Sequence, residues 1–465
     1  MRARLEQCQQ WVAGSSLNAD VGFEGISTDT RSAAADSLFV ALRGDTYDAH
    51  AFLGAAVQRD VAALVIAHDT PAPYLAGLPP TLPLLRVADT RIALGAIGHG
   101  WRNQFTLPLI AVTGSNGKTT VKEMIAAILA AAVGAAHSMA TRGNFNNDIG
   151  VPLTLVRLHA GTRAAVVELG MNHPGEITRL AAMAQPTVAL VNNAQREHQE
   201  FMATVAAVAQ ENGAVFDSLP TDGVAVFPAD DEFTELWRGM AQAGGPRRVM
   251  TFGLDARADV GATYVVNAFG STLAVRAGAA AFSVELAAAG EHNVRNALAA
   301  ITCTLAIGLS VADIVRGLES FAPVAGRLQR RVATSGAVVI DDTYNANPDS
   351  VRAAIDVLAQ GSAPRILVLG DMGEVGDNGP AFHAEIGAYA ATRGIDHLLS
   401  FGAQAATSAR AFGAHGQHFD DLAALQAEVL DLATAQAVVL VKGSRFMKME
   451  RIVAHLLDTQ VQDSH

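Results

Sequence analysis

The sequence predicts an α/β protein of three domains: a small α/β amino-terminal unit, a central unit on a mostly parallel sheet, and an open, doubly wound carboxyl-terminal unit. Three observations carry that expectation. At 465 residues the chain exceeds one ordinary core, and about 150 residues per domain suggests three. Apolar runs of strand length alternate with segments of helical spacing. Half of the residues are hydrophobic and only 17% are charged, which favours compact folding throughout.

In the amino-terminal unit, residues 1–83, the short apolar runs LFVAL (38–42) and AALVIA (62–67) flank a helix expected around 50–59. Pro71, Pro73, Pro79, Pro80 and Pro83 then crowd a stretch that neither helix nor central strand tolerates, and a linker is expected there. The central unit, residues 84–325, opens on LPLIAVTG (107–114) and a helix from Lys118 to Ala132, with Val121, Met124, Ile125, Ile128 and Leu129 on its apolar face. AAVVELG (164–170), PTVALVNN (186–193) and VAVF (224–227) continue the alternation, as a parallel sheet covered on both faces requires. A second break is expected at APVAGR (322–327). The last unit, residues 326–465, holds strands at AVVIDD (337–342), RILVLGD (365–371), HLLSFG (397–402) and AVVLVKG (437–443), with polar residues just past their carboxyl ends, where such sheets bind ligands.

Composition excludes several classes. A net charge of -12 and the lack of a Lys/Arg stripe argue against nucleic acid as a partner. Cys8 and Cys303 lie far apart without metal-ligand spacing, so neither a disulfide framework nor a zinc site is indicated and a reducing compartment fits. MRARLEQCQQWVAG lacks the apolar core of a secretory signal. The longest clean apolar stretch, residues 125–136, falls short of the ~20 residues of a membrane span. A soluble cytoplasmic protein is expected.

The residues TGSNGKTT (113–120) sit between a buried strand and a helix, the setting of a phosphate-binding loop. Gly114 and Gly117 let the backbone turn its N–H groups around an anion, with Ser115, Asn116 and Thr120 in the same cradle, and the helix amino terminus adds its positive end. Lys118 is placed to reach the β- and γ-phosphates and the Thr119 hydroxyl to ligate Mg²⁺. The strict G-x-x-x-x-G-K-[ST] pattern fails at Val112, so the loop is a shorter variant. A phosphate loop alone suits a kinase, a GTPase or a ligase. Further polar islands follow strands on the same sheet edge: Asn144, Asn146 and Asn147 in TRGNFNNDIGVPLTL (141–155), Glu168 ending a strand, and His198 in NNAQREH (192–198). Glu168 and His198 are candidate Mg²⁺ ligands, the imidazole through water.

These islands resemble those of the Mur ligases, most of all the branch that adds D-alanyl-D-alanine to the muramoyl tripeptide. The motifs run in family order along nearly the whole chain: TDTR (28–31), ALRGDTYDAH (41–50), TGSNGKTT, GNFNNDIGVPLTL (143–155), ELGMN (168–172), GEHNVRNALAA (290–300), GR (326–327), DDTYNANPDS (341–350), LGDMGE (369–374) and LVKGSR (440–445). The resemblance implies an amino-terminal domain for the UDP-sugar, a central P-loop-type ATPase domain and a Rossmann-like carboxyl-terminal domain. It implies ATP and Mg²⁺ as cofactors, and UDP-MurNAc-tripeptide and D-Ala-D-Ala as substrates of a monomer. Lys118, Glu168 and His198 become catalytic, Asn293 and Asn296 contact the adenine side, and Arg327 and Asp342 reach phosphate and ribose. Thr30, Arg31, Arg43, Gly44, Asn144, Asn146, Asn345, Asn347 and Ser444 become substrate contacts. DDTYNANPDS stands where diamino-acid-adding relatives carry D-N-P-R, and together with ALRGDTYDAH it favours the dipeptide-adding branch over that paralogue and over a folylpolyglutamate synthetase. One departure stands out. Most relatives carry a carbamylated lysine on the helix after the histidine, and here VAQENGAVF (208–216) offers Gln210 and Asn212 instead. Either an amide or the nearby Glu211 is expected to substitute; the rival reading is a nucleotide-binding relative that has lost catalysis.

Overall fold

The structure is a computed structural model of the chain and describes residues 1–44, 47–197, 200–202, 204–267 and 270–458. Its amino-terminal sheet has five short strands in the order Ser16–Leu17, Leu84–Val87, Ala63–Ala67, Leu38–Val40 and Ile26–Ser27. Leu84–Val87 pairs in parallel with Ala63–Ala67, so a break after residue 83 would cut through this sheet, and the domain runs further than the sequence suggested. The proline-dense stretch is a connection inside the domain. It even carries the short helix Ala72–Leu75, whose prolines sit where a first helical turn has no N–H to lose.

The helix Thr90–Arg102 joins the first two domains. Asp89 caps it by accepting from the Arg91 and Ile92 N–H groups. Ala93, Leu94 and Ile97 complete the amino-terminal core beside Leu5, Leu38 and Leu85, and Ile149 and Leu153 of the central domain pack on the same cluster. Close approach is possible because two positions lack a Cβ: one at Gly98 would stand 2.6 Å from Pro152, and one at Gly100 would stand 2.2 Å from the Trp11 ring.

The central sheet has nine strands. From one edge they run Ala280–Leu286, Gly270–Ala277, Val260–Asn267, Arg248–Gly253, Val224–Pro228, Val188–Val191, Leu109–Thr113, Ala164–Glu168 and Ser138–Ala140. The strands from Ser138–Ala140 to Val260–Asn267 are parallel, and the last two add an antiparallel meander that the sequence reading did not separate out. Its pattern is alternating rather than continuous, since Val260–Asn267 exposes every second residue along most of its length. Two apolar layers cover the parallel part, one under the helices Lys118–Val133 and Glu291–Ala306, the other under Glu176–Ala184 and Val205–Gly213.

After Glu319 the chain crosses to a third sheet, ordered Gln329–Val332, Val338–Asp342, Val438–Lys442, Arg365–Gly370, His397–Phe401 and Gly416–Phe419. All neighbours are parallel except the first strand. The break expected at residues 325/326 falls in the crossing segment. Among the described residues no helix is long and apolar enough to span a membrane.

Candidate active site

Leu109–Thr113 lies between Ala164–Glu168 and Val188–Val191, so three loops leave the sheet side by side at its carboxyl edge. The first is the phosphate loop. Gly117 precedes the helix Lys118–Val133 at φ +83°, and a Cβ there would stand 2.4 Å from Asn296 Oδ1, so only glycine fits both the turn and its neighbour. The helix's first N–H groups face the loop without partners inside the helix.

The third loop, residues 192–197, grips the first. Asn193 accepts from the Ser115 N–H through its backbone oxygen (3.1 Å) and from the Asn116 N–H through Oδ1 (2.9 Å). Asn192 and Asn193 both donate to the Asn116 carbonyl, and the Gln195 side chain accepts from Asn116 Nδ2 at 2.7 Å. Lys118 Nζ curls back to donate to Gly114 O (2.6 Å), Ser115 O (2.9 Å) and Glu197 Oε1 (2.9 Å). Glu197 was not singled out by the sequence. His198, the expected imidazole ligand, lies outside the described residues.

Glu168 ends its strand with 2% exposure. Its Oε1 accepts from Thr119 Oγ1 (3.2 Å) and Asn146 Nδ2 (2.9 Å), whereas its buried Oε2 has no hydrogen-bond partner. An orphaned, buried carboxylate oxygen beside a threonine hydroxyl is costly without a cation, and oxygen donors of this kind suit Mg²⁺. The residues present fit the ion.

Two expectations about the missing lysine are corrected. Asn212 is fully buried and its Oδ1 accepts from both Thr113 Oγ1 (2.6 Å) and the Gly114 N–H (2.9 Å), while its Nδ2 donates to Val208 O. Both lone pairs of that oxygen are in use, so the amide serves the phosphate loop and is not free to ligate a metal. Glu211 is engaged by the neighbouring helix instead, accepting from the Gly175 and Ile177 N–H groups at 2.8 and 2.9 Å and so capping Glu176–Ala184.

The cavity over this edge measures about 670 Å³ and its far wall belongs to the carboxyl-terminal domain. Asn144, Asn146, Asn293, Asn296, Arg327, Asp342, Asn345 and Asn347 all line it, together with the phosphate-loop residues 115–120 and Glu168. Asn296 Oδ1 accepts from Asn192 Nδ2 at 2.9 Å, and Arg327 stacks on Tyr344 with 4.1 Å to the ring centroid. Asp342 accepts from Lys442 Nζ at 2.6 Å, and that buried lysine, which also lines the cavity, stands in LVKGSR but has no role in the sequence-based expectations. Beside these groups His292 is held neutral by burial, its pKa lowered to about 4. Asn347 caps the helix Pro348–Leu358 through the Ser350 N–H and also exchanges amide hydrogen bonds with Asn116.

The remaining expected contacts stand elsewhere. Ser444 is buried, donates to the Asp371 carbonyl at 2.7 Å and does not line the cavity, because it closes the turn beside LGDMGE. Thr30, Arg31, Arg43 and Gly44 lie apart in the amino-terminal domain. Arg31 pairs with Asp29 at 2.7 Å, and Arg43 with both Asp48 and Asp69 at 3.2 and 3.1 Å. His50 and His383 are buried loop pins: each Nε2 accepts a backbone N–H, from Ala67 and Met372 respectively, at 3.0 Å.

Comparison with known proteins agrees with this geometry. Residues 112–304 match the Mur ligase middle domain, and residues 326–445 match the Mur ligase glutamate ligase domain. The UDP-N-acetylmuramoyl-tripeptide–D-alanyl-D-alanine ligase of Escherichia coli K12 is 38% identical over 97% of this chain and 98% of its own. The ligase of the same name from Haemophilus influenzae is 39% identical over 94% of each chain. Among solved structures, MurF from Acinetobacter baumannii superposes with a TM-score of 0.89 at 34% identity, covering 99% of both chains.

Proposed function

The chain belongs to the Mur ligase family, and on that premise we propose that it joins D-alanyl-D-alanine to UDP-MurNAc-tripeptide, with ATP as phosphoryl donor. An amine cannot displace oxide from a carboxylate, so the γ-phosphoryl group is first moved to the terminal carboxylate of the tripeptide. The dipeptide amine then attacks the acyl carbon, the C–O bond to phosphate breaks, and UDP-MurNAc-pentapeptide, ADP and phosphate result. The observation that carries this reading is the cavity itself, with a phosphate loop on one domain and Arg327, Asp342 and Lys442 facing it from the next.

On this reading the loop N–H groups and the helix end hold the phosphates, and Lys118 leaves Glu197 to meet the phosphoryl oxygens as charge shifts between them. Thr119 and Glu168 hold Mg²⁺, with Asn146 orienting the carboxylate, and the ion when bound supplies further positive charge beside the phosphates. Asn293 and Asn296 take the adenine side, Arg327 and Asp342 the phosphate and ribose, and Asn144, Asn345 and Asn347 the reacting peptide ends. Thr30, Arg31, Arg43 and Gly44 take the UDP end of the nucleotide sugar. A monomer in the cytoplasm, where ATP is at hand, suffices for all of this.

The test is phosphate release from ATP with UDP-MurNAc-tripeptide, with and without D-Ala-D-Ala, together with the product's mass. Release that requires both substrates and yields the pentapeptide supports the reading. ATP binding without release under either condition overturns it in favour of a catalytically silent relative.

A further inference from the structure

The loop 192–197 touches two domains. On one side Asn192, Asn193, Gln195 and Glu197 hold the phosphate loop and Lys118. On the other, Arg196 leaves the central domain altogether. Its guanidinium lies against Asp349, with Nη2–Oδ1 2.6 Å and Nε–Oδ1 3.1 Å, and against Glu385, with Nη1–Oε2 2.7 Å and Nη2–Oε1 3.1 Å. Its own N–H donates to Asp349 Oδ2 at 2.9 Å, and the group stands 5.3 Å from the Phe382 ring centroid. Asp349 belongs to the first turn of Pro348–Leu358 and Glu385 to Gly379–Thr392, both in the carboxyl-terminal domain.

This differs from a surface ion pair. Arg196 and Asp349 side chains are only 24% and 22% exposed, and one planar fork serves two carboxylates, the arrangement that arginine alone provides. Arg352 adds a second cation to Glu385 at 3.2 Å. Adjacent residues therefore face opposite ways: Arg196 binds the far domain and Glu197 binds the catalytic lysine. Any movement of the carboxyl-terminal domain that frees Asp349 and Glu385 also frees the segment that shapes the phosphate loop.

We propose that Arg196 is a positioning residue that couples docking of the carboxyl-terminal domain to the geometry of the phosphate loop and Lys118. The inference rests on the ligase reading above. It gives closure a chemical consequence. When the clamp is intact, the carboxyl-terminal domain stays docked as the far wall of the cavity while the acyl phosphate exists. When the clamp is broken, water can take the amine's place at the acyl carbon; the C–O bond to phosphate breaks, and the carboxylate, inorganic phosphate and a proton are released with ATP spent and no amide formed.

The experiment measures phosphate and pentapeptide in parallel for the full-length enzyme, R196A, R196K and the pair variant D349N/E385Q, together with the dissociation constant of ADP. Wild type making one amide per phosphate establishes the ligase reading independently; its failure would sink that reading and not the coupling alone. For R196A we expect kcat to fall about tenfold or more while ADP affinity stays within about twofold, and phosphate released per amide to rise well above unity. R196K recovers only part of the loss, since an ammonium cannot fork across two carboxylates. D349N/E385Q reaches the same contact from the other domain and must reproduce the uncoupling. Unchanged kcat and stoichiometry, or a fall in ADP affinity matching the fall in kcat, overturns the proposal.

Discussion

The phosphate-loop edge of the central sheet and the arginine rim of the amino-terminal domain are both polar, but they are built in opposite ways. At the sheet edge Thr113, Glu168, Asn192, Asn212 and Asn296 are all nearly inaccessible, and Asn212 alone satisfies three groups. At the rim the Arg31 and Arg43 side chains are 81% and 42% exposed and paired with carboxylates that face solvent. Burial makes each hydrogen bond at the edge expensive to lose, because nothing replaces it. Exposure makes each ion pair at the rim nearly neutral in stability, so those cations can change partner at little cost.

The largest effect should come from Lys118→Ala, which on the proposed reading removes the donor that leaves Glu197 for the moving phosphoryl group. Steady-state kinetics should show kcat reduced about a hundredfold to a thousandfold. Glu168→Gln sharpens the same side of the contrast. It should raise the Mg²⁺ concentration for half-maximal turnover about ten- to a hundredfold, read from a metal titration after chelation, and an unshifted titration would remove Glu168 from the ion's site. Asn212→Ala leaves the Gly114 N–H and the Thr113 hydroxyl buried and unpaired, which should cost about 1–3 kcal/mol in denaturant unfolding. A wild-type-like midpoint would break the comparison at its best-connected residue.

A buried imidazole extends the rule to pH. Burial holds His383 below its ordinary 6.5, so the fold prefers the neutral ring. Above that value neither state takes up a proton and stability is unaffected; as pH falls below it, the unfolded chain binds a proton that the folded one resists, and stability is lost until the lower, folded value is passed. Urea midpoints taken between about pH 7.5 and about pH 5.5 should therefore decline, and His383→Gln should remove only its share of that decline, His292 supplying the rest. Smallest of all is Arg31→Ala, expected to shift unfolding by under about 0.5 kcal/mol while raising KM for the nucleotide sugar. A large stability loss there would erase the distinction between rim and edge.

The parallel strands were legible because burial on both faces leaves continuous apolar runs, and the phosphate loop because glycine, lysine and threonine at that spacing follow such a run. Asn293, Asn296, Arg327 and Asp342 were legible only by resemblance, and all four do reach the cavity. Lys442 and Glu197 were not. Each depends on a partner remote in sequence, Asp342 for one and Lys118 for the other, and no local pattern announces such a pairing. The break after residue 83 failed for a similar reason: prolines mark a turn in the chain, while the limit of a domain is set by which sheet the next strand joins. Ser444 was expected at the site by resemblance and Glu211 by its place beside Asn212, whereas the one bonds the Asp371 carbonyl and the other caps the next helix.

The helix Thr90–Arg102 also decides how the molecule would come apart. Seated between Pro152 and Trp11 and sharing its apolar face with both cores, it ties the first two domains together along its length. The crossing between Glu319 and Gln329 is held at fewer points: Phe321 and Gly326 are buried, but Ser320, Ala322 and Ala325 are exposed. Brief digestion should therefore yield two fragments and not three, a large piece retaining the phosphate loop and a smaller one retaining the third sheet, and genetic dissection of the chain would follow the same seam.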